Sequence, residues 1–328
     1  MGSNLRQAAT KASRPNIDAP AVARDRRAME KSLSAIRKLL EKQSFESAEE
    51  ANAFLSTIDL NNIVAEPETP QEKAQELMYE AFEATGKKRI ELAKSALKVD
   101  PNCADAYSLL AEEEAETLEE AISLYRLAVE GGRRSLSPEV FESEGAFWSW
   151  LPTRPFMRGQ AGLAYALRAA GSRPEAIDIF KEMLRLNPND NQGVRYDLAG
   201  CLLAEGRDDE FNALCADYPK DPSSIWLYAK ALAIYRKEGP ERPARLAAEK
   251  AFEANPYVLM FVLVGEMPDD SGTYSFGDES EAAFIVNAMA EAWMATPDYL
   301  PWVIDSIAEL LEPKTKRQGP AKPKKKRR

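Results

Sequence analysis

The stretch MRGQAGLAYALRAAGSRPEAIDIFKEMLRLNP, residues 157–188, carries the clearest helical pattern of this chain. Apolar and small residues recur in it at helical spacing in two segments, which are separated at Gly171 and ended by an Asn-Pro pair. Small residues such as Ala164 and Ala176 allow two antiparallel helices to approach closely, while Phe180 fills the space beside them. The stretch therefore predicts a helical hairpin.

Neighbouring stretches repeat this pattern. Asp-Pro or Asn-Pro pairs that end helices recur at Pro101, Pro188 and Pro256, with gaps of 87 and 68 residues. The second gap equals two units of about 34 residues, the tetratricopeptide period. The predicted second helices carry apolar or small residues at i, i+4 and i+7: Ala121/Tyr125/Ala128, Ala176/Phe180/Met183, Phe211/Cys215/Tyr218 and Ala244/Ala248/Ala251. The sequence therefore predicts an all-α, tetratricopeptide-like α-solenoid of about five helical hairpins with C-terminal capping helices.

Composition and helical spacing divide the chain into five predicted segments. They are a disordered N-terminal segment over 1–28, a short helical region and linker over 29–69, the repeat array over 70–256, capping helices over 257–312 and a disordered basic tail over 313–328. Within the second segment we expect a helix from about Arg27 to Lys42 and another after Ser47. An irregular insert from Gly131 to Pro155 interrupts the hairpins.

The composition argues against most catalytic chemistry. The chain of 328 residues contains no histidine, which removes the side chain that most often transfers protons near neutral pH and the commonest metal ligand. The three cysteines, Cys103, Cys201 and Cys215, form no CxxC pair, so we expect no zinc site. Their odd number disfavours a disulfide framework, and we expect Cys201 and Cys215 to be buried core residues. The sequence predicts neither an enzyme nor a cofactor.

Charge is unevenly distributed along the chain. The net charge is −10, yet nine Lys or Arg and no acid follow Pro313. Six of these basic residues are predicted to contact nucleic acid or another anionic surface: Lys322, Lys324, Lys325, Lys326, Arg327 and Arg328. The first residues lack a secretory signal, and no apolar run approaches the roughly 20 residues that span a bilayer. We therefore expect a cytoplasmic protein that is not inserted into a membrane.

Repeat arrays bind partners on the surface formed by the first helix of each hairpin, which lines the concave groove. Eight residues on these predicted helices do not fit the packing pattern and are the candidate partner-binding residues: Arg158, Tyr165, Arg168, Gln192, Arg195, Tyr196, Tyr228 and Lys230. The three arginines suit carboxylates of a peptide. The alternative is that each residue is solvated or paired with a neighbouring acid.

Trp148, Trp150, Arg154 and Phe156 cluster within nine residues at the end of the insert. If exposed, they would anchor a partner, because Trp and Arg are enriched in binding hot spots. If buried, they fill the gap that the insert leaves, and this second interpretation is the one that we favour.

Three stretches carry a resemblance to known families: TRPFMRGQAGLAYALRAAG, LNPNDNQGVRYDLAGCLLAEGRDDE and ANPYVLMFVLVGEMP. Over roughly residues 70–305 the chain resembles a bacterial family of tetratricopeptide proteins. It is also similar to the helical part of the eukaryotic "suppression of tumorigenicity 7" family, whose members are membrane proteins. The resemblance implies a helical-repeat fold and a non-enzymatic role in interactions.

Together these features predict a scaffold that binds a peptide or protein partner in the concave groove of the repeats. The alternative is an accessory factor associated with nucleic acid or ribosomes, attached through the basic tail.

Overall fold

The computed structural model describes residues 21–59, 66–142, 145, 147–265 and 274–311 of the chain. Over these residues every regular element is helical, and no strand is present. Fifteen α-helices lie in the described ranges: α1 Ala21–Glu41, α2 Ala48–Leu55, α3 Pro70–Glu83, α4 Gly86–Val99, α5 Ala104–Glu113, α6 Leu118–Arg134, α7 Arg154–Ala169, α8 Arg173–Leu186, α9 Val194–Ala204, α10 Asp208–Asp217, α11 Ser224–Glu238, α12 Arg242–Ala254, α13 Tyr257–Val264, α14 Glu279–Met294 and α15 Tyr299–Leu311.

The predicted all-α fold of tetratricopeptide-like hairpins is confirmed. Helices pack in chain order as α3/α4, α5/α6, α7/α8 and α11/α12, and α9 and α10 follow each other between the last two of these hairpins. Three second helices, α4, α8 and α12, end two residues before Pro101, Pro188 and Pro256. Between α7 and α8 the chain turns at Gly171, whose φ of +80° suits a residue without a β-carbon. The next amide, Ser172 N, donates to Leu167 O at 2.8 Å and satisfies a carbonyl at the end of α7.

The described residues belong to two compact units, with a boundary inside α9 between Cys201 and Leu202. The N-terminal unit contains α1 to α8 and most of α9. Buried side chains of its first two hairpins form a continuous core that includes Met78, Phe82 and Leu109.

The C-terminal unit runs from the end of α9 to α15. In it α14 packs against α11, and α15 packs against α12, so both helices cap the last hairpin. Arg236 on α11 links this helix to α10 and to the end of α14, since it donates to Asp208 Oδ1 at 3.0 Å, to Ala292 O at 3.1 Å and to Thr296 Oγ1 at 2.8 Å.

The first helix differs from the prediction. It was expected from about Arg27 but begins at Ala21, so residues 21–28 do not belong to an irregular segment. The sequence AVARDRRA consists mostly of good helix formers, so the helix extends through it. Its charged residues show no helical periodicity, which is why the sequence pattern did not predict this part of the helix. Residues 1–20 and 312–328 lie outside the described residues, and the predicted domain limits stay predictions.

The insert also begins later than predicted. Gly131 was taken as its start, but α6 continues to Arg134, and three short 3-10 helices occupy Pro138–Glu142, Phe147–Ser149 and Leu151–Thr153. Gly131 lies within this helix, at a position where a β-carbon would stand 2.8 Å from Asn102 O. The glycine signals close helix packing rather than a helix end.

Two of the three cysteines are buried. Cys103 and Cys201 lie in the core, whereas Cys215 is only half-buried. The expectation of burial is therefore confirmed for Cys201 and is too strong for Cys215, because α10 leaves that side chain at the rim of the packed layer.

Candidate partner-binding site

The first helices of consecutive hairpins lie side by side in the N-terminal unit, where α5 contacts both α3 and α7. We call the surface formed by α3, α5, α7 and α9 up to Cys201 the first-helix face. Polar side chains join neighbouring helices across it. Gln75 on α3 donates to Asp105 Oδ2 on α5 at 2.9 Å, and Arg168 on α7 donates to Asp197 Oδ1 on α9 at 2.7 Å.

Arg158 on α7 lies at the centre of the most enclosed part of this face. Its Nε and Nη2 donate to Asp105 Oδ1 and Oδ2 at 2.8 and 2.7 Å, a bidentate pair with a carboxylate that is 1% exposed. Its Nη1 donates at 3.0 Å to both carboxylate oxygens of Glu30 on α1. Burial disfavours the charge of Arg158, but Asp105 and then Glu30 outweigh that penalty, so the pKa of Arg158 is raised.

Tyr165 and Arg168 form a second polar group near the C-terminal end of α7. Tyr165 is 42% exposed, and its hydroxyl donates to Asp197 Oδ2 at 3.1 Å. The pKa of Tyr165 is raised well above its ordinary value, first because the surrounding protein shields the hydroxyl from water and second because Asp197 is negative. This group offers an exposed aromatic edge beside a charge-assisted hydrogen bond.

The start of α9 shows turn chemistry. Asp190 has a φ of +47°, and its carboxylate accepts from Val194 N at 2.9 Å and from Arg195 N at 3.1 Å, which caps the helix. Arg195 also pairs with Asp190 at 2.8 Å and lies 4.1 Å from the ring centre of Tyr196, which is buried. Gln192 was predicted on a first helix but lies in the loop before α9, because the cap delays the helix to Val194.

Two predicted residues lie in the C-terminal unit. Tyr228 is buried, and its hydroxyl donates to Asn255 O at 2.8 Å, so it belongs to the core rather than to a partner surface. The correction follows from α14, which packs on α11 and covers this side chain with Trp293. Lys230 is half-buried, with its ammonium group 5.9 Å from the ring centre of Trp226.

Each of the three predicted arginines has a carboxylate partner within 3 Å. The first-helix face is therefore a network of ion pairs rather than a positive strip. Composition could not reveal the partners of Arg158 and Arg168, because Asp105 and Asp197 come from neighbouring helices, whereas Asp190 lies five residues before Arg195.

The aromatic residues of the insert divide between the two interpretations. Phe156 is fully buried and Trp148 half-buried, whereas Trp150 is exposed. Arg154 donates to Trp148 O at 3.0 Å, and its guanidinium lies 5.1 Å from the centre of the Trp148 ring.

Sequence reasoning missed the acids that organise the site. Asp105 stands between Ala104 and Ala106 in the first turn of a helix whose other side is apolar. An acid at a packed position was a signal that a cation must approach from another helix. Glu30 gave no such signal, because it precedes a lysine in an ordinary charged stretch.

The six basic residues predicted to contact an anionic surface, Lys322 to Arg328, lie outside the described residues. No helix among the described residues combines the length and the apolar character needed to cross a bilayer.

Comparison with known proteins agrees with this geometry. The ST7 protein family matches residues 51–141, and the tetratricopeptide repeat family matches residues 167–232. This chain is similar to both. The Suppressor of tumorigenicity 7 protein of Macaca fascicularis is 28% identical over 190 residues, which cover 51% of this chain and 36% of the relative. The protein of the same name from Rattus norvegicus is also 28% identical over 190 residues, covering 51% and 33%.

The chain therefore spans about a third of the length of these relatives. The predicted resemblance to tetratricopeptide proteins and to the suppression of tumorigenicity 7 family is confirmed. Tetratricopeptide repeats indicate a protein partner, and folds of this type are generally non-catalytic.

Proposed function

We propose that this chain is a non-enzymatic scaffold that binds a protein or peptide partner through the first-helix face. One observation carries the proposal: the face holds a helix, α1, that belongs to no hairpin. A surface that holds one helix through side-chain contacts has the shape and the polar groups to hold another.

Side-chain exposure supports a smaller proposed set of partner-binding residues. Tyr165 is exposed at the surface, and Arg168 and Arg195 are half-buried. Arg158 is covered by α1, and Tyr196 is buried. We therefore expect contact with a partner to centre on Tyr165, whose ring adds apolar area beside an ion pair.

A site-specific photocrosslinker tests this proposal. A benzoylphenylalanine residue at position 165, on the first-helix face, is expected to yield a discrete crosslinked protein in the native cell. The matched control is position 127 on α6, where Leu127 is similarly exposed but lies on a second helix. The same crosslinks from both positions, or none from position 165, would contradict the proposal.

A further inference from the structure

Helix α1 is attached to the first-helix face by ion pairs and by an apolar side that is only partly covered. Three lysines pair with three glutamates on α3 and just before it: Lys31 with Glu76 at 2.5 Å, Lys38 with Glu72 at 2.8 Å and Lys42 with Glu68 at 2.7 Å. The numbers rise along one helix and fall along the other, so α1 and α3 are antiparallel. The outer pairs are solvent-exposed, and such pairs contribute little to stability.

The apolar contact of this helix is incomplete, with Ile36, Leu39 and Leu40 only half-buried. Among the described side chains of α1, Ala35 is the one hydrophobic residue that is buried. Met29 and Leu33 are 61% and 43% exposed. A cavity of about 470 Å³ remains open between Leu33 on α1 and Trp150 in the insert. A helix that leaves its apolar side open in this way is not sealed into the core.

Glu30 is the exception, because it is 5% exposed and bonds to two arginines. It accepts from Arg154 Nη1 at 3.1 Å and from Arg158 Nη1 at 3.0 Å. Without Glu30, the first-helix face supplies one carboxylate at this point, Asp105, which pairs with Arg158. Arg154 would lose its carboxylate partner. One positive charge would then lack its compensating carboxylate in a half-buried site, so any helix that replaces α1 has to bring an acid.

We propose that the first-helix face of the N-terminal unit is a binding site for an amphipathic helix with one buried carboxylate, and that α1 occupies this site until a partner helix of the same chemistry displaces it. This inference rests on the proposed scaffold function and names the partner class. The partner helix carries a Glu or Asp at the position of Glu30 and basic residues where Lys31 and Lys38 stand. Its carboxylate pairs with Arg154 and Arg158, and its basic side chains pair with the glutamates of α3.

Competition in the full-length chain tests the inference. The probe is a fluorescent synthetic peptide of residues 21–42, and binding is followed by fluorescence anisotropy. In wild-type protein, α1 competes in cis, so binding is weak. In the Glu30→Gln chain the competitor is weakened, and we expect the peptide to bind about tenfold more tightly, because apparent affinity follows the fraction of open sites.

Controls separate displacement from general damage. A peptide that itself carries Glu30→Gln is expected to bind the Glu30→Gln chain at least about tenfold more weakly than the native peptide does, because it brings no carboxylate. A chain with Glu175→Gln, which breaks an exposed pair with Arg126, is expected to behave as wild type. If Glu30→Gln fails to fold, Lys38→Gln removes the most enclosed of the three lysine–glutamate pairs and serves instead.

Equal peptide binding to the wild-type and weakened chains, with unchanged amide hydrogen exchange in α1, would overturn the inference and make α1 a fixed part of the fold. That failure is distinct from failure of the scaffold function. Crosslinks from position 165 without peptide binding would contradict the α1 inference alone. Peptide binding without crosslinks would contradict the proposed partner-binding function.

Discussion

Four glycines lie where α6 meets α5 and α7, and each is too closely surrounded for a β-carbon to fit without movement. They are Gly131, Gly132, Gly159 and Gly162. A β-carbon on Gly132 would stand 2.9 Å from Phe156 Cβ, and one on Gly131 would meet the backbone of Asn102. At an exposed helix position, glycine would cost about 1 kcal/mol relative to alanine. Here that loss is offset by helix–helix packing that a larger residue would prevent.

The substitution Gly131→Ala is expected to destabilise the chain, although alanine favours helix. The new β-carbon would collide with the backbone oxygen of Asn102, which cannot rotate away as a flexible side chain would. Overpacking of this kind costs about 1–3 kcal/mol, measurable as a lower urea midpoint. The control is Glu130→Ala, one residue earlier on an exposed side of α6. A gain in stability at position 131 would refute the packing argument.

At this scale the sequence predicted more of the core than of the site. Ala164, Ala176 and Phe180 were predicted to pack, and all three are buried. Helical spacing is a local property, so it identifies the packed side of a helix without knowledge of its neighbours. The state of Arg158 depends on Asp105 and Glu30, which are 53 and 128 residues away, and no local pattern contains that information.

At the scale of elements, Asn255 shows how one turn residue organises several helices. The sequence identified its Asn-Pro pair as the end of a hairpin, and α12 does end at Ala254. The structure adds that the side chain is fully buried and donates to Asp278 O and Glu281 Oε2, both at 3.0 Å. Its backbone oxygen accepts from Tyr228. One residue thus links α11, α12 and the start of α14.

We expect Asn255→Ala to cost about 1–3 kcal/mol, because the Asp278 carbonyl loses its side-chain donor and the buried Glu281 carboxylate keeps only the amide of Gly277 at Oε2. The change is read from chemical denaturation followed by tryptophan fluorescence. Asn212→Ala, at an exposed position of α10, provides the matched control and should shift stability by no more than about 0.5 kcal/mol. Equal effects at the two positions would show that Asn255 acts only as a turn residue.

At the scale of the whole molecule, buried neutral groups make stability depend on alkaline pH. The pKa values of four tyrosines are raised, chiefly by burial or shielding from water: Tyr79, Tyr165, Tyr228 and Tyr299. Burial also raises the pKa of Cys103 to about 12 and that of Cys215 to about 11. The folded state therefore holds these protons more tightly than the unfolded state does.

The expected result is full stability below about pH 9 and a progressive loss above it. As pH rises past the ordinary values of 9.0 for Cys and 10.0 for Tyr, the unfolded chain releases protons that the folded chain retains. Urea unfolding at several values between pH 7 and pH 11 measures the decline. Tyr299→Phe removes one such group and should make the decline shallower. Stability that is constant up to pH 11, or an unchanged slope in the variant, would contradict this account.

Local patterns in the sequence were enough to specify the all-α hairpin fold, the places where hairpins end and the sides of the helices that face the core. These depend on spacing within some 30 residues, on prolines and on small side chains, which act locally. The tertiary structure alone decided which arginines have carboxylate partners, that Tyr228 is buried and that α1 lies on the first-helix face. Those outcomes depend on charges and surfaces that meet only when distant helices pack, as Glu30 and Arg158 do.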